Sequence, residues 1–273
     1  MTSKSSPEKV QLIEDKQALI ELLYQLADDD FVLAFRGSEW LGLAPHIEED
    51  IAFSSINQDT MGHAVLYYEL LETLGEGKAN VIAHERPASE RRNAVLLELA
   101  NGTGTYLEEP RFDWAFAVVR HYFYSVYKQE KLHVLEKSSF EPLAQLAANI
   151  QVELHYHVMH WKVWFQQLCL SGGEARKRME AAIKQVWGEF AGVLSFGPIG
   201  DRMVKSQLLE AESAFHTRFI VEMKKIFSKV NVPYPGDPQM NSGDGRKGEH
   251  TGDLKAALAT LSEVYDLDPH TVW

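Results

Sequence analysis

Apolar residues recur at three-and-four spacing through most of this chain, the period of a helix that buries one face. Leu19, Leu22, Leu23, Leu26, Phe31, Leu33 and Phe35 mark a first predicted helix over about 11–43, closed by Pro45. A second, over 48–74, opens with Glu48, Glu49 and Asp50, which suit the positive end of a helix dipole, and stops at Gly75 and Gly77. Residues 78–111 hold a short helical stretch broken by Arg-Pro, Asn-Gly and Glu-Pro pairs. A third helix is predicted over 112–136. Ser138 and Glu141 have capping-box spacing and start a fourth, over 139–170, which Gly172 and Gly173 end.

Three further helices are predicted over 174–193, 205–230 and 253–265. The first has a second capping-box spacing (Ser171, Glu174) and an apolar stripe of Met179, Ile183 and Trp187. Phe196 to Gly200 breaks it, and the proline-rich run Pro233 to Pro238 opens a glycine-rich, charged loop that lasts to Asp253. An extended tail to Trp273 follows the last helix. Two hairpins of long helices joined by one long crossover is the order of a ferritin-like four-helix bundle. The predicted class is therefore all-α, a ferritin-like bundle with additional C-terminal helices, in one domain over 11–273 after a flexible extension at 1–10.

Composition narrows the function classes. The 273 residues are 45% hydrophobic and 24% charged, enough apolar material for a large core. The 39 acidic residues against 27 basic ones give a net charge of −12, which disfavours nucleic acid and anionic membranes as partners. Cys169 stands alone, which excludes an intrachain disulfide and fits a reducing compartment. The polar start from Met1 to Lys9 lacks the apolar core of a secretory signal, and no apolar run is long enough to cross a bilayer. A cytoplasmic location is expected.

Two predicted helices carry an acid four residues before a histidine: Asp59 with His63, and Glu153 with His157. Di-iron carboxylate bundles place a Glu on each of two helices and a Glu-x-x-His pair, spaced three apart, on each of the other two. At about 100° per residue, Glu153, His157, His160 and Trp164 share one stripe, and Asp59 lies beneath His63. Glu39 interrupts the apolar face of the first helix. The third helix has an arginine, Arg120, where a carboxylate is wanted. Two readings stand: a di-iron or di-manganese oxidase using Glu39, Asp59, His63, Glu153 and His157, or a buried polar network in which Arg120 replaces the metal charge. The second is preferred, with no catalytic residue and no cofactor. A self-associating helical protein without any link to oxygenation is the third class.

The segments Ala27 to Pro45, Glu49 to Ala52, Asn57 to His63, Arg120 to Phe123, Glu153 to His157, Leu170 to Trp187 and Gly245 to Thr251 occur in an order that resembles the non-catalytic C subunits of bacterial phenylacetyl-CoA epoxidases. The likeness covers nearly all of the chain beyond the first two dozen residues. It implies a ferritin-like chain without metal ligands that pairs with and stabilises a di-iron catalytic A subunit. That complex epoxidises the aromatic ring of phenylacetyl-CoA during aerobic phenylacetate degradation. The implied partners are that A subunit and the other epoxidase subunits, including the reductase. Self-association is also expected.

Overall fold

The computed structural model describes residues 15–269. The extension at 1–10, the first residues of the first predicted helix and the end of the tail lie outside the described residues. Four long helices form the bundle: α1 (Lys16–Ser38), α2 (Ile47–Thr73), α5 (Trp114–Leu135) and α6 (Glu141–Leu170). Helices α1 and α2 pack as one hairpin, α5 and α6 as the other. The crossover between them carries α3 (Ala79–His84), a 3-10 turn, α4 (Val95–Glu98) and a two-stranded antiparallel ribbon, Gly102–Thr103 against Arg111–Phe112. After the bundle come α7 (Gly173–Trp187), α8 (Phe190–Leu194), α9 (Gly200–Lys205), α10 (Glu212–Lys229), α11 (Gly252–Leu261) and α12 (Glu263–Leu267). Among the described residues, no helix is long and apolar enough to cross a membrane.

Several boundaries differ from the sequence expectation. Helix α1 ends at Ser38 rather than near 43, because a run of turns follows and Gly42 takes φ +78°. Its start is fixed by Asp15, whose carboxylate accepts from Ala18 N at 3.1 Å. The capping box expected at Ser138 does not form. Phe140 occupies the N-cap of α6 with no side-chain bond, and Pro142 sits in the first turn, where its missing N–H costs nothing. Ser171 likewise does not start α7. Its hydroxyl donates back to Gln167 O and Leu168 O at the end of α6, and Gly172 at φ +74° turns the chain. The single helix expected over 174–193 breaks after Trp187, and the one expected over 205–230 starts only at Glu212 as α10, separated from the short α9 before it by a turn with a positive-φ Gln207.

Helix α5 is central. Every residue from Ala115 to Lys128 is buried, the signature of a helix surrounded on all sides. Around it, Phe123, Phe165, Trp187, Phe190 and Phe227 join α5, α6, α7, α8 and α10 through edge and stacked ring contacts 5.5–6.2 Å apart. Helices α1 and α2 meet so closely at Gly37 that a Cβ there would lie 2.0 Å from Asn57 Oδ1.

Three consecutive acids on α1, Asp28, Asp29 and Asp30, are all buried, at 0%, 2% and 1% exposure. Successive helix positions differ by about 100°, so each aims at a different neighbour. Asp28 accepts from Tyr68 OH at 2.6 Å and Arg92 N at 2.8 Å, and pairs with Arg86 and Arg91. Asp29 accepts from Ala94 N at 2.8 Å and from both terminal nitrogens of Arg246, each at 2.8 Å. Asp30 faces the bundle interior. The crossover is also held by the fully buried Glu98, which accepts from Asn93 Nδ2 at 2.8 Å, His250 Nδ1 at 2.7 Å and Thr251 N at 2.6 Å.

Candidate functional site, a pair of crossed histidine-acid contacts

The two ligand-like motifs meet each other. His63 Nε2 on α2 lies 2.8 Å from Glu153 Oε2 on α6, and His157 Nε2 on α6 lies 2.9 Å from Asp59 Oδ2 on α2. As the α2 position rises from 59 to 63, its partner falls from 157 to 153, so the helices run antiparallel and each histidine reaches the other helix's acid. The rings lie 6.2 Å apart. Burial is uneven: the side chains of His63 and His157 are 3% and 5% exposed, those of Glu153 and Asp59 54% and 38%. The imidazoles therefore lie inside the bundle and the carboxylates at its mouth.

The inner nitrogen of His63 is also engaged. Lys128 Nζ on α5 donates to His63 Nδ1 at 2.9 Å and to Asp30 Oδ2 at 2.6 Å, while Tyr124 OH donates to Asp30 Oδ1 at 2.9 Å. An ammonium carries only donors, so Nδ1 accepts and the Nε2–H of a neutral ring donates to Glu153. Burial first, then the Lys128 charge, holds His63 far below the ordinary imidazole value, in accord with that tautomer. Burial pushes the Asp30 carboxyl upward, and Lys128 and Tyr124 pull it back. One turn further along α6, His160 Nε2 bonds Glu49 Oε1 at 2.8 Å, and Trp164 Nε1 donates to Glu49 Oε2.

The sequence-predicted set thus separates into three groups. Asp59, His63, Glu153 and His157 come together, but His160 and Trp164 turn to Glu49. Glu39 and Arg120 lie elsewhere. Glu39 accepts from Arg36 at 3.0 Å and from Asn101 Nδ2 at 2.8 Å, and Arg120 donates to Asn101 Oδ1 at 2.6 Å and Leu99 O at 2.7 Å. Arg120 is therefore not the cation beside the histidines. Lys128, about 12 Å further along α5, occupies that place. The sequence reading missed Asp30, Glu49, Tyr124 and Lys128. A usable signal existed for Asp30 and Lys128, each a charged residue beside an apolar run, and for Tyr124 with Lys128 in the i, i+4 spacing of one helix face; Glu49, between Glu48 and Asp50, carries no such signal.

This donor set does not fit a di-metal centre. The positions three before each histidine, where a Glu-x-x-His ligand would stand, hold Thr60 and Leu154. The Thr60 hydroxyl donates to Ile56 O at 2.7 Å, and Leu154 is 2% exposed within the core. Each histidine faces one acid, and an ammonium fills the space that a cation would need. Among the described residues, no group of three or more His, Cys, Asp or Glu side chains converges.

The buried imidazoles set a pH response. His63, His121 and His157 are all held low, chiefly by burial, with His121 down to about 3 through burial and then the Arg120 charge. Such groups bind fewer protons folded than unfolded. The stability they lend is complete above about pH 6.5 and is lost as pH falls, by about 1 kcal/mol per histidine between pH 6.5 and 5.5. His121→Phe keeps the ring stacked on Trp161, 5.0 Å away, and should flatten the measured slope of unfolding free energy against pH by about one proton. An unchanged slope in denaturant titrations at those two pH values would contradict this.

The C subunit of the 1,2-phenylacetyl-CoA epoxidase of Escherichia coli strain K12 is 24% identical over 250 residues, which span 91% of this chain and 96% of that one. Residues 1–273 match the family described as phenylacetic acid catabolic protein, and the chain, its ligand-like residues turned upon one another across an all-helical bundle, belongs to that family.

Proposed function

We propose that this chain is a non-catalytic structural subunit of a multicomponent oxygenase that epoxidises the aromatic ring of phenylacetyl-CoA, and that it pairs with and stabilises a di-iron catalytic chain. Family membership and the likeness to the C subunit of an epoxidase support the setting. The observation that carries the non-catalytic role is the crossed pairing of His63 with Glu153 and His157 with Asp59, with Lys128 between the His63 imidazole and Asp30. A bundle closed in this way keeps a rigid exterior for association and offers no open donor set to oxygen chemistry.

The test is metal content. Full-length protein purified after expression in iron-supplemented medium should hold well under one iron per chain and consume no oxygen alone, whereas the assembled complex should hold iron and consume oxygen. About two irons per isolated chain would instead support a stand-alone oxidase.

A further inference from the structure

Lys131 on α5 is 2% exposed, and among the described residues it has neither a carboxylate partner nor a hydrogen bond. The other buried basic side chains differ: Arg36, Arg91, Lys128 and Arg246 each meet a carboxylate, and Arg120 donates to two oxygens. Rings take the place of an anion. Lys131 Nζ lies 4.0 Å from the centre of the Phe196 ring, 5.7 Å from that of Phe215 and 5.9 Å from that of Tyr127. Phe196 belongs to the loop after α8, Phe215 to the first turn of α10 and Tyr127 to α5 itself. One side chain thus joins three segments.

No charge around this cage completes the pair. On α1, Asp29 gives both oxygens to Arg246 of the loop before α11, and the two act on Lys131 in opposite senses. On α10, Glu212 accepts from Phe196 N at 3.2 Å with its side chain 42% exposed, Arg218 lies 6.0 Å from the Phe215 ring centre, and His216 turns to Leu194 O. Burial keeps the Tyr127 phenol protonated, and residues 195–200 have no ionisable side chain. A cation over rings recovers less than burial takes from it when no counter-ion is present, so burial first, then the Arg246 charge, pulls the Lys131 amine down to about 7. We propose that Lys131 is a pH-sensitive latch, whose uncharged amine seats residues 195–200 and the start of α10 on α5, and whose protonated form lets them open into water more often. An opened Lys131 regains the ordinary lysine value of about 10.4. Above about pH 7 the open state therefore carries a proton that the closed state lacks, so closure is favoured as pH rises through that range and is unaffected below it. The buried histidines act at lower pH, below about 6.5, which keeps the two responses apart.

The experiment uses the full-length chain, with lysine side chains followed by carbon NMR and amide exchange measured at pH 7 and pH 8. The Lys131 signal should titrate near pH 7, and a midpoint near the ordinary lysine value of about 10.4 would overturn the latch. This titration needs no variant, so it decides the matter even where a substitution prevents folding. Corrected for intrinsic exchange rates, the opening constants of residues 195–200 and the first half of α10 should fall about 5-fold from pH 7 to pH 8, while those of α2 hold steady. Lys131→Met fills the cage without a charge. It should raise the thermal midpoint at pH 7 and make opening of the segment rare at both pH values. A lower midpoint for Lys131→Met at pH 7 would show that the rings reward the ammonium more than burial penalises it, and the latch would fall. A pH response spread evenly over all helices, or one that persists in Lys131→Met, would also overturn it.

Discussion

Lys128→Met should lower the unfolding free energy by about 3–5 kcal/mol, the penalty for stranding one partner of a buried ion pair. The side chains of Lys128 and Asp30 are 7% and 1% exposed, so water cannot replace the lost ammonium. Asp30 would keep only the Tyr124 hydroxyl, and His63 Nδ1 would lose its donor. Adding Asp30→Asn to Lys128→Met removes the stranded charge and leaves an amide oxygen for Tyr124. The double variant should recover all but about 1–2 kcal/mol, because replacing both members of a buried pair costs far less than removing one. Losing Lys128 also removes a positive neighbour from His63, so that imidazole should titrate at higher pH than in the wild type, observable by NMR. Urea titrations in which Lys128→Met costs under about 1 kcal/mol would show that the ammonium is not a structural cation.

The second large effect concerns Arg246. Its guanidinium, 2% exposed, grips Asp29 through two bonds of 2.8 Å and also donates to Arg92 O at 2.5 Å. One side chain thereby ties the glycine-rich loop before α11 to α1 and to the crossover. Arg246→Met should again cost about 3–5 kcal/mol. It also has a local signature. Amides of residues 88–98 and 242–253 should exchange at least 10-fold faster, while the middle of α6 changes only with global stability. Uniform acceleration across all helices, or none, would refute the tethering role.

How far the sequence reveals this molecule depends on the element. The predicted bounds of α2 and α6 fall within two residues of those observed, because long apolar periodicity is bounded there by glycines, acids and proline. The predicted end of α1 overruns because Leu41 and Leu43 continue the apolar pattern. They are 53% and 37% exposed and so belong to the surface, a distinction that periodicity cannot make. Ser138 and Ser171 have capping-box spacing, but local bonds to other groups satisfy their hydroxyls. The short ribbon after α4 is two residues per strand, too brief for any alternation to register.

The site is half visible for a related reason. Spacing within one helix determines which residues share a face, so Asp59 with His63 and Glu153 with His157 can be read directly. It says nothing about which residue of another helix each will meet. That His63 takes Glu153 rather than Asp59, and that Lys128 rather than Arg120 stands beside it, depends on the axial register of helices some 65 and 90 positions apart in the chain. Arg120 is the plausible cation from sequence because it interrupts an apolar run. Lys128 interrupts the same run, and only packing distinguishes them.

The aspartate fan on α1 constrains how this protein can vary in length. Inserting or deleting one residue between Lys16 and Ala27 would leave composition and hydrophobicity almost untouched, but would turn that segment about 100° relative to Asp28, Asp29 and Asp30. Either the apolar stripe or three buried carboxylates would then face the wrong neighbours. The ribbon turn around Leu107, 87% exposed, has no such coupling. Insertions and fused tags should be tolerated there and refused in α1.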